Sequence, residues 1–166
     1  HGHRNPITEL RWVNDREIEG LKRTRGWAQN HHVYFHAKFS RPFDCTLYEN
    51  GKPLQGKWAV ANGNTQAVLQ FSDGRDEPLL VKVGISAVDY EGARNNVETE
   101  APDWDFDKVR EAAQAAWNKK LSTIDIQGGS SDDRTIFYTA QYHAAISPNL
   151  FSDVDGRSRG IDRRIH

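Results

Sequence analysis

Three segments of the chain alternate apolar and polar residues with the period of two that is typical of a half-buried β-strand. In residues 31–40 the apolar positions are Val33, Phe35, Ala37 and Phe39. In residues 79–88 they are Leu79, Val81, Val83, Ile85 and Ala87. A weaker third pattern, in 65–71, has Ala67, Leu69 and Phe71. We predict antiparallel strands that turn these residues inward, with tight turns such as Asn50-Gly51 between strands.

After residue 100 the spacing of apolar residues becomes helical. One predicted helix starts after an N-cap at Asp105 and carries apolar residues on one face, at Phe106, Val109, Ala113, Ala116 and Leu121. A second is predicted near 132–147, because Ser130 and Asp133 have the spacing of a capping box and Pro148 ends the pattern. The patterns predict a mainly β fold of antiparallel sheet, followed by two α-helices.

Composition narrows the classes of protein. The 166 residues suffice for one core, and a net charge of −1 gives no field that would favour nucleic acid as a partner. A single cysteine excludes an internal disulfide, and no apolar run approaches the roughly 18 residues of a membrane-spanning helix. The chain contains no Met at all, so we expect a fragment or a processed chain.

The segment LFSDVDGRSRG, residues 150–160, carries the densest group of charges. Asp153 and Asp155 resemble the start of a calcium loop, but Arg164 stands where the closing Glu belongs. As an extended pair the two carboxyl groups could also serve a glycosidase. With Arg157 and Arg159 beside them, an ion-paired turn with lowered carboxyl pKa values is the preferred interpretation. A loop that lines a site without transferring protons is the remaining one.

Histidines and one tryptophan offer other chemistry. His32 and His36 lie on the same face of a predicted strand and could bind a metal, although a solvated strand face is the preferred interpretation. Trp27, which follows a basic stretch, is a candidate either for stacking on a sugar ring or for the core. No phosphate-binding glycine motif occurs, which argues against nucleotide chemistry.

Three blocks together carry a resemblance: EIEGLKRTRGWAQNHHVYFHAKFSRPF (17–43), VKVGISAVDYEGARNNVETEAPDWDFDKVREAAQAAWNKKLSTIDIQGG (81–129) and RTIFYTAQYHAAISPNLFSDVDGRSRG (134–160). In this order they resemble family 92 glycoside hydrolases, the calcium-dependent exo-acting α-mannosidases. The resemblance covers nearly the whole chain and is weakest around 44–66. It implies a larger protein with a β-sandwich and an (α/α) toroid, from a Bacteroidetes-like bacterium and placed outside the cytoplasm, in the periplasm, at the cell surface or secreted.

On that basis residues 1–100 are expected to form a β-sandwich portion, 101–129 a helical linker and 130–166 the start of the catalytic toroid. The resemblance implies inverting hydrolysis of α-mannosidic bonds, α-1,2 bonds above all, in mannose-rich glycans. Catalytic carboxylates and calcium ligands are expected in the remainder of the same enzyme and none in this chain, so the fragment alone is expected to be inactive. Substrate-binding candidates within it are Glu19, Gly20, Trp27, Asp153 and Asp155.

A non-catalytic carbohydrate-binding β-sandwich is the alternative function. It needs an exposed aromatic platform, which Trp12, Trp27 or Trp58 could supply.

Overall fold

The structure, a computed structural model, describes residues 7–25, 30–62, 64–72 and 77–166. These residues form eight strands and three helices. The strands are β1 Ile7–Asn14, β2 Glu17–Thr24, β3 His31–Phe39, β4 Asp44–Glu49, β5 Lys52–Pro53, β6 Trp58–Ala61, β7 Thr65–Gln70 and β8 Val81–Ser86. The helices are α1 Tyr90–Glu100, α2 Phe106–Leu121 and α3 Ser131–Ala145.

The strands form two antiparallel sheets, as the alternating patterns predict. One sheet has five strands in the order β6-β1-β2-β3-β8, and the other has three in the order β5-β4-β7. The hairpin between β4 and β5 turns at Asn50 and Gly51, whose φ angles of 50° and 77° explain why this dipeptide suits the turn. A mainly antiparallel β fold followed by helices is confirmed.

The core between the sheets is aromatic. Ile18, Ala37 and Phe43 are buried, and Phe39 and Phe71 pack against them. The ring centroids of Phe43 lie 5.1 Å from Phe39 and 5.7 Å from Phe71, in edge-to-face arrangements that aromatic rings favour. The predicted inward face of the strand at 31–40 is therefore confirmed.

The opposite face of the five-stranded sheet is covered by helix α1, which the strand patterns did not predict. Asp89 caps the helix by accepting a 2.6 Å hydrogen bond from the Gly92 N–H. Ala93 and Val97 are 0% and 3% exposed against the sheet. Gly84 of β8 permits this approach, because a Cβ atom there would collide with the carbonyl oxygen of Ala93.

Strand β8 corrects one expectation. Val81, Val83 and Ile85 pair with Phe39, Ala37 and Phe35 in register, so they share the core-facing side of the sheet as predicted. They are nevertheless 48%, 56% and 64% exposed, because β8 forms the edge of the sheet. The buried positions of this strand are Gly84 and Ser86, on the side that α1 covers.

The described chain divides into two compact units. The first consists of the described residues up to Trp104 together with Phe151–His166, and the second of Asp105–Leu150. In the second unit Asp105 caps α2, and Ser130 with Asp133 forms the predicted capping box of α3. The Trp117 and Tyr142 rings lie 4.5 Å apart between these helices. Among the described residues no helix is both long and apolar enough to span a membrane.

Candidate functional site

Glu19, a candidate for substrate binding, lies on β2 beneath helix α1. It is 6% exposed. Its carboxylate contacts the guanidinium groups of Arg11 at 3.4 Å and Arg94 at 3.3 Å. One cation comes from the neighbouring strand β1 and the other from α1, so Glu19 joins the helix to the sheet. Sugar binding by Glu19 stays a prediction.

Gly20 follows Glu19 on β2, so a side chain at this position would point to the opposite side of the sheet. A Cβ atom at this position would overlap the Phe35 ring and the Glu9 carbonyl oxygen. The glycine is therefore required for close packing of adjacent strands. Its predicted part in substrate binding would have to be indirect, through the shape of β2.

His36 is completely buried, so the preferred interpretation of a solvated strand face is wrong. Its Nε2 and Nδ1 atoms lie 3.4 Å from carboxylate oxygens of Glu17 and Glu19. Burial lowers the pKa of His36, although Glu17 opposes that shift, so the ring stays neutral at neutral pH. The expectation failed because α1 covers this side of β3.

An aromatic and charged row continues from Glu19 to the sheet edge. The Arg11 guanidinium stands 4.2 Å from the Tyr90 ring centroid and 5.0 Å from that of Trp58. The Tyr90 hydroxyl donates a 2.9 Å hydrogen bond to Glu9, and burial together with this carboxylate raises the pKa of Tyr90. Trp58 itself is 58% exposed.

The two other tryptophan candidates differ from Trp58. Trp12 is half-buried, donates its Nε1 hydrogen to the Asn14 carbonyl, and has the Lys57 ammonium 4.6 Å from its ring centroid. Trp27 lies outside the described residues. Trp58 is therefore the platform candidate that the described part of the chain supports best.

Asp153 lies in the loop of residues 151–160, and it is buried at 5% exposure. Its Oδ2 atom accepts a 2.7 Å hydrogen bond from the Ser86 hydroxyl, and its Oδ1 atom accepts one of 2.9 Å from the Asn96 amide. Ser86 ends β8 and Asn96 lies on α1. Asp153 thus attaches the 151–160 loop to the junction between β8 and α1.

The exposed part of the same loop is an ion-paired turn. Arg157 donates through Nε to Asp155 at 2.7 Å and through Nη1 to Asp89 at 2.7 Å. At Asp89 desolvation favours a higher pKa, but hydrogen bonds from Arg157 and from the Gly92 N–H outweigh it and lower the pKa. At Asp155 hydrogen bonds from the Arg157 backbone and side chain lower the pKa. This confirms the ion-paired turn for Asp155, whereas Asp153 has neutral partners instead.

Arg159 completes the attachment of the loop. Its Nε and Nη2 atoms donate to the carbonyl oxygens of Ala87 and Val88, at 2.7 and 3.0 Å. Nowhere among the described residues do three His, Cys, Asp or Glu side chains form a group that could hold a metal ion. The described geometry is that of a braced loop.

Sequence reasoning missed the partners of this loop, Ser86, Asp89 and Asn96. A signal was present: Asp89 precedes Tyr90, Ala93 and Val97 at helical spacing. No helix was predicted here because residues 1–100 were assigned to the β-sandwich portion. With α1 recognised, Asn96 would have fallen on the helix face near Ala93.

Comparison with known proteins bears on this architecture. Residues 2–86 match the Glycosyl hydrolase family 92 N-terminal domain, and residues 92–166 match the Glycosyl hydrolase family 92 catalytic domain. The chain belongs to glycosyl hydrolase family 92. The catalytic-domain match includes the 151–160 loop and α1 from Gly92 onward. In the structure both belong to the compact unit that contains the strands.

Solved structures agree with the family 92 assignment. A family GH92 alpha-mannosidase from Bacteroides thetaiotaomicron is 34% identical over 98% of this chain, with a TM-score of 0.90. The chain covers 23% of that protein. A second structure of that mannosidase, in complex with mannoimidazole, gives a TM-score of 0.89 with 34% identity, over 98% of this chain and 22% of the other.

A curated relative covers part of the family 92 match. It is described as an uncharacterized secreted glycosidase from Arthroderma benhamiae, and it is 38% identical over 90 residues. The match spans 51% of this chain and 12% of the relative. The chain thus spans about a quarter or less of the length of these relatives.

Proposed function

We propose that this chain is part of a longer exo-acting, inverting α-mannosidase that hydrolyses α-mannosidic bonds, α-1,2 bonds above all, in mannose-rich glycans. We call that longer protein the parent enzyme. The observation that carries the proposal is the 34% identity, over 98% of this chain, to a protein described as an alpha-mannosidase. The relative bound to mannoimidazole supports a mannoside as the substrate class.

In this proposal the chain builds the wall of the sugar cleft and leaves the chemistry to the rest of the parent enzyme. An inverting glycosidase needs a carboxylic acid of raised pKa opposite a carboxylate base, about 6.5–9.5 Å away. Asp155 has its pKa lowered by Arg157 and stays ionised, which suits neither an acid nor a free base. Both carboxylate oxygens of Asp153 already accept hydrogen bonds, from the Ser86 hydroxyl and from the Asn96 side-chain amide.

The proposed cleft-wall residues are Glu19, Gly20, Trp27, Asp153 and Asp155. Of these, Asp155 is the described residue best suited to meet a sugar hydroxyl, because its side chain is 34% exposed. Glu19 and Asp153 are buried at 6% and 5% exposure, so neither side chain is open to direct contact with a sugar hydroxyl.

Calcium belongs to the proposal for the parent enzyme only. Among the described residues no group of three His, Cys, Asp or Glu side chains could hold a metal ion. We therefore assign no calcium ligand here. For location we propose an extracytoplasmic enzyme of a Bacteroidetes-like bacterium. The description of the Arthroderma relative as secreted supports the extracellular part of this proposal.

The test compares the parent enzyme with residues 1–166 on α-1,2-mannobiose, with mannose release as the measurement. We expect turnover by the parent enzyme and none by residues 1–166. Proton NMR of the first product should show the β-anomer if the bond is inverted, and chelation followed by calcium should remove and restore the activity. Turnover by residues 1–166 alone would contradict our placement of the catalytic groups.

A second candidate function, non-catalytic carbohydrate binding, is favoured by Trp58. The exposed indole stands on edge strand β6, and its orientation is set by Arg11, which lies opposite it in register. Such a ring can stack on the apolar face of a sugar, while Arg11 and Glu9 offer hydrogen bonds to hydroxyls.

Mannan affinity of Trp58→Ala in the parent enzyme tests this second function. Weaker mannan binding with unchanged turnover of α-1,2-mannobiose supports it. Trp104→Ala is the matched control, because Trp104 is 38% exposed and also lies under a cation, the Lys82 ammonium at 4.4 Å. Equal mannan affinity in both variants and the wild type would exclude Trp58 as a sugar platform.

A further inference from the structure

We infer that Asp153 is a positioning residue for the proposed hydrolysis: it holds the 151–160 loop, and through it Asp155 and Arg157, in one geometry at the wall of the cleft. The inference rests on the proposed function. It goes beyond that proposal because it assigns the effect on turnover to a buried side chain that does not meet the sugar.

The hydrogen bonds around Asp153 form a closed set in which each donor has a defined acceptor. The Ser86 hydroxyl accepts the Val88 N–H at 2.9 Å, so its own hydrogen is directed to Asp153. The Asn96 amide donates to the Ile85 carbonyl at 2.8 Å and to Asp153 at 2.9 Å. Both groups therefore require an acceptor at position 153, and the two side-chain oxygens of Asp153 supply one each.

The site also leaves Asp153 little freedom to move. Gly92 lies so close that a Cβ atom there would meet the Asp153 carboxylate and, at 2.7 Å, the Ser86 hydroxyl oxygen. In addition, the side-chain amide oxygen Oδ1 of Asn96 accepts the Val154 N–H at 2.9 Å. The carboxylate is thus fixed from β8, from α1 and from its own loop.

Backbone bonds carry this constraint to the exposed residues. The Asp153 N–H donates to the Arg157 carbonyl at 2.8 Å, and the Gly156 N–H donates to the Asp153 carbonyl at 2.9 Å. The turn from 153 to 157 is therefore closed on Asp153. Since Asp155 and Arg157 are ion-paired at 2.7 Å within that turn, a shift of Asp153 shifts both.

Asp153→Asn is a sharp probe because it keeps the shape of the side chain. The Asn oxygen can replace one carboxylate oxygen, but its NH₂ group then faces either the Ser86 hydroxyl hydrogen or the Asn96 amide. Two donors would meet, and the loop would have to move to separate them. Ser86→Ala disturbs the same set from the other side by removing one donor.

The experiment measures kcat and KM of the parent enzyme on α-1,2-mannobiose, well below the unfolding midpoint of every variant. The variants are Asp153→Asn, Ser86→Ala and both together, with Asp125→Asn as control. Asp125 is exposed and lies in the other compact unit, so the same chemical change there should leave turnover unaltered.

We expect a loss of about tenfold or more in kcat/KM for Asp153→Asn, as misplaced groups near a reacting sugar cause. The double variant should lose less than the product of the single losses, because both changes break one set of bonds.

The results separate the two proposals. Wild-type kcat and KM in Asp153→Asn, with only a lowered unfolding midpoint, would reduce Asp153 to a structural residue and leave the proposed function intact. If that variant does not fold, wild-type kcat and KM in Ser86→Ala would overturn the inference instead. A wild-type parent enzyme without activity on any α-mannoside would overturn the proposed function, and the positioning role with it.

Discussion

The Nδ1 atom of His36 lies 3.4 Å from the Oε2 atom of Glu19, on adjacent strands beneath helix α1. The histidine is 0% exposed and Glu19 is 6% exposed. Burial lowers the pKa of His36, the nearby Arg94 lowers it further, and Glu17 and Glu19 oppose the shift. The neutral imidazole is therefore the form that the folded protein favours.

This arrangement predicts that His36 makes stability depend on pH. The unfolded chain binds a proton near the ordinary value of 6.5, whereas the folded protein binds it only at lower pH. Protonation thus favours the unfolded chain, so the contribution of His36 to stability is complete above pH 6.5 and declines as the pH falls below it. In His36→Gln, we expect the midpoint of thermal unfolding to fall less between pH 7 and pH 5 than in the wild type.

His143→Gln is the matched control for this measurement, because His143 is an exposed residue of α3. Its pH profile should follow the wild type. Identical pH profiles for the wild type and His36→Gln would mean that His36 is not the titrating group. Glu17 is the other group beside His36 with a lowered pKa; desolvation opposes that shift and Lys38 drives it. Its contribution is lost at more acid pH, below about 4.5, so the two effects fall in different windows.

Gly84→Ala is predicted to destabilise the protein strongly. The added methyl group would overlap the Ala93 carbonyl and lie 2.8 Å from the Val97 Cβ, so helix α1 would have to move away from β8. Overpacking of this kind costs roughly 1–3 kcal/mol, and a backbone carbonyl cannot rotate aside as a side chain can. Chemical denaturation of the parent enzyme measures the change.

Gly56→Ala is the control, because no atom lies within 4 Å of a Cβ built on Gly56 and its φ is not positive. We expect this variant to change stability by no more than about 0.5 kcal/mol. Equal stability of the two alanine variants would show that α1 does not pack on β8 as closely as described.

The sequence predicted which side of each strand faces the core better than it predicted which residues are buried. The patterns around Ala37 and Leu69 identified the core-facing side because that side is apolar along its length. The other side of β3 carries Tyr34, His36 and Lys38, a pattern that is typical of a solvated face. A period of two says nothing about a helix that covers the polar side, where His36 lies 3.4 Å from carboxylate oxygens of Glu17 and Glu19 and Lys38 lies 3.2 Å from Glu17.

The candidate site shows the same limit. Pairing of Asp155 with Arg157 could be predicted because only Gly156 separates the two residues, and short-range ion pairs follow from spacing. Contact of Asp153 with Ser86 spans 67 residues and depends on the position of α1, which no local pattern gives. Local chemistry was therefore predictable, and the anchor that holds the loop was not.

Arg157→Gln is predicted to remove a stabilising contribution that disappears in acid. Arg157 lowers the pKa of Asp89 and Asp155 from an ordinary value of 3.8. A lowered carboxyl pKa stabilises the folded protein above pH 3.8, and the contribution is lost as the pH falls through the lowered value. Thermal unfolding should therefore separate the variant from the wild type at pH 7, with the difference shrinking in strong acid.

Arg110→Gln provides the comparison for Arg157. Arg110 pairs with Asp107 at 3.1 Å on the exposed surface of α2, with side chains 61% and 70% exposed. Such a pair contributes little, so its loss should leave the unfolding midpoint close to that of the wild type. A difference for Arg157→Gln that stays constant from pH 7 to strong acid would contradict the ion-pair explanation.

Ser130→Ala is predicted to loosen the start of helix α3 without unfolding the protein. The Ser130 hydroxyl accepts the Asp133 N–H at 3.1 Å, and Asp133 accepts the Ser130 N–H at 2.9 Å. Loss of such a cap costs about 1 kcal/mol, equivalent to about fivefold faster amide hydrogen exchange where exchange proceeds by local opening. The faster exchange should be confined to the first turn of α3, since later amides bond within the helix.

Ser131→Ala controls for the loss of a hydroxyl, because Ser131 is already the first helical residue and alanine is the better helix former there. Faster exchange in both variants, or in neither, would mean that the capping box does not hold the start of α3.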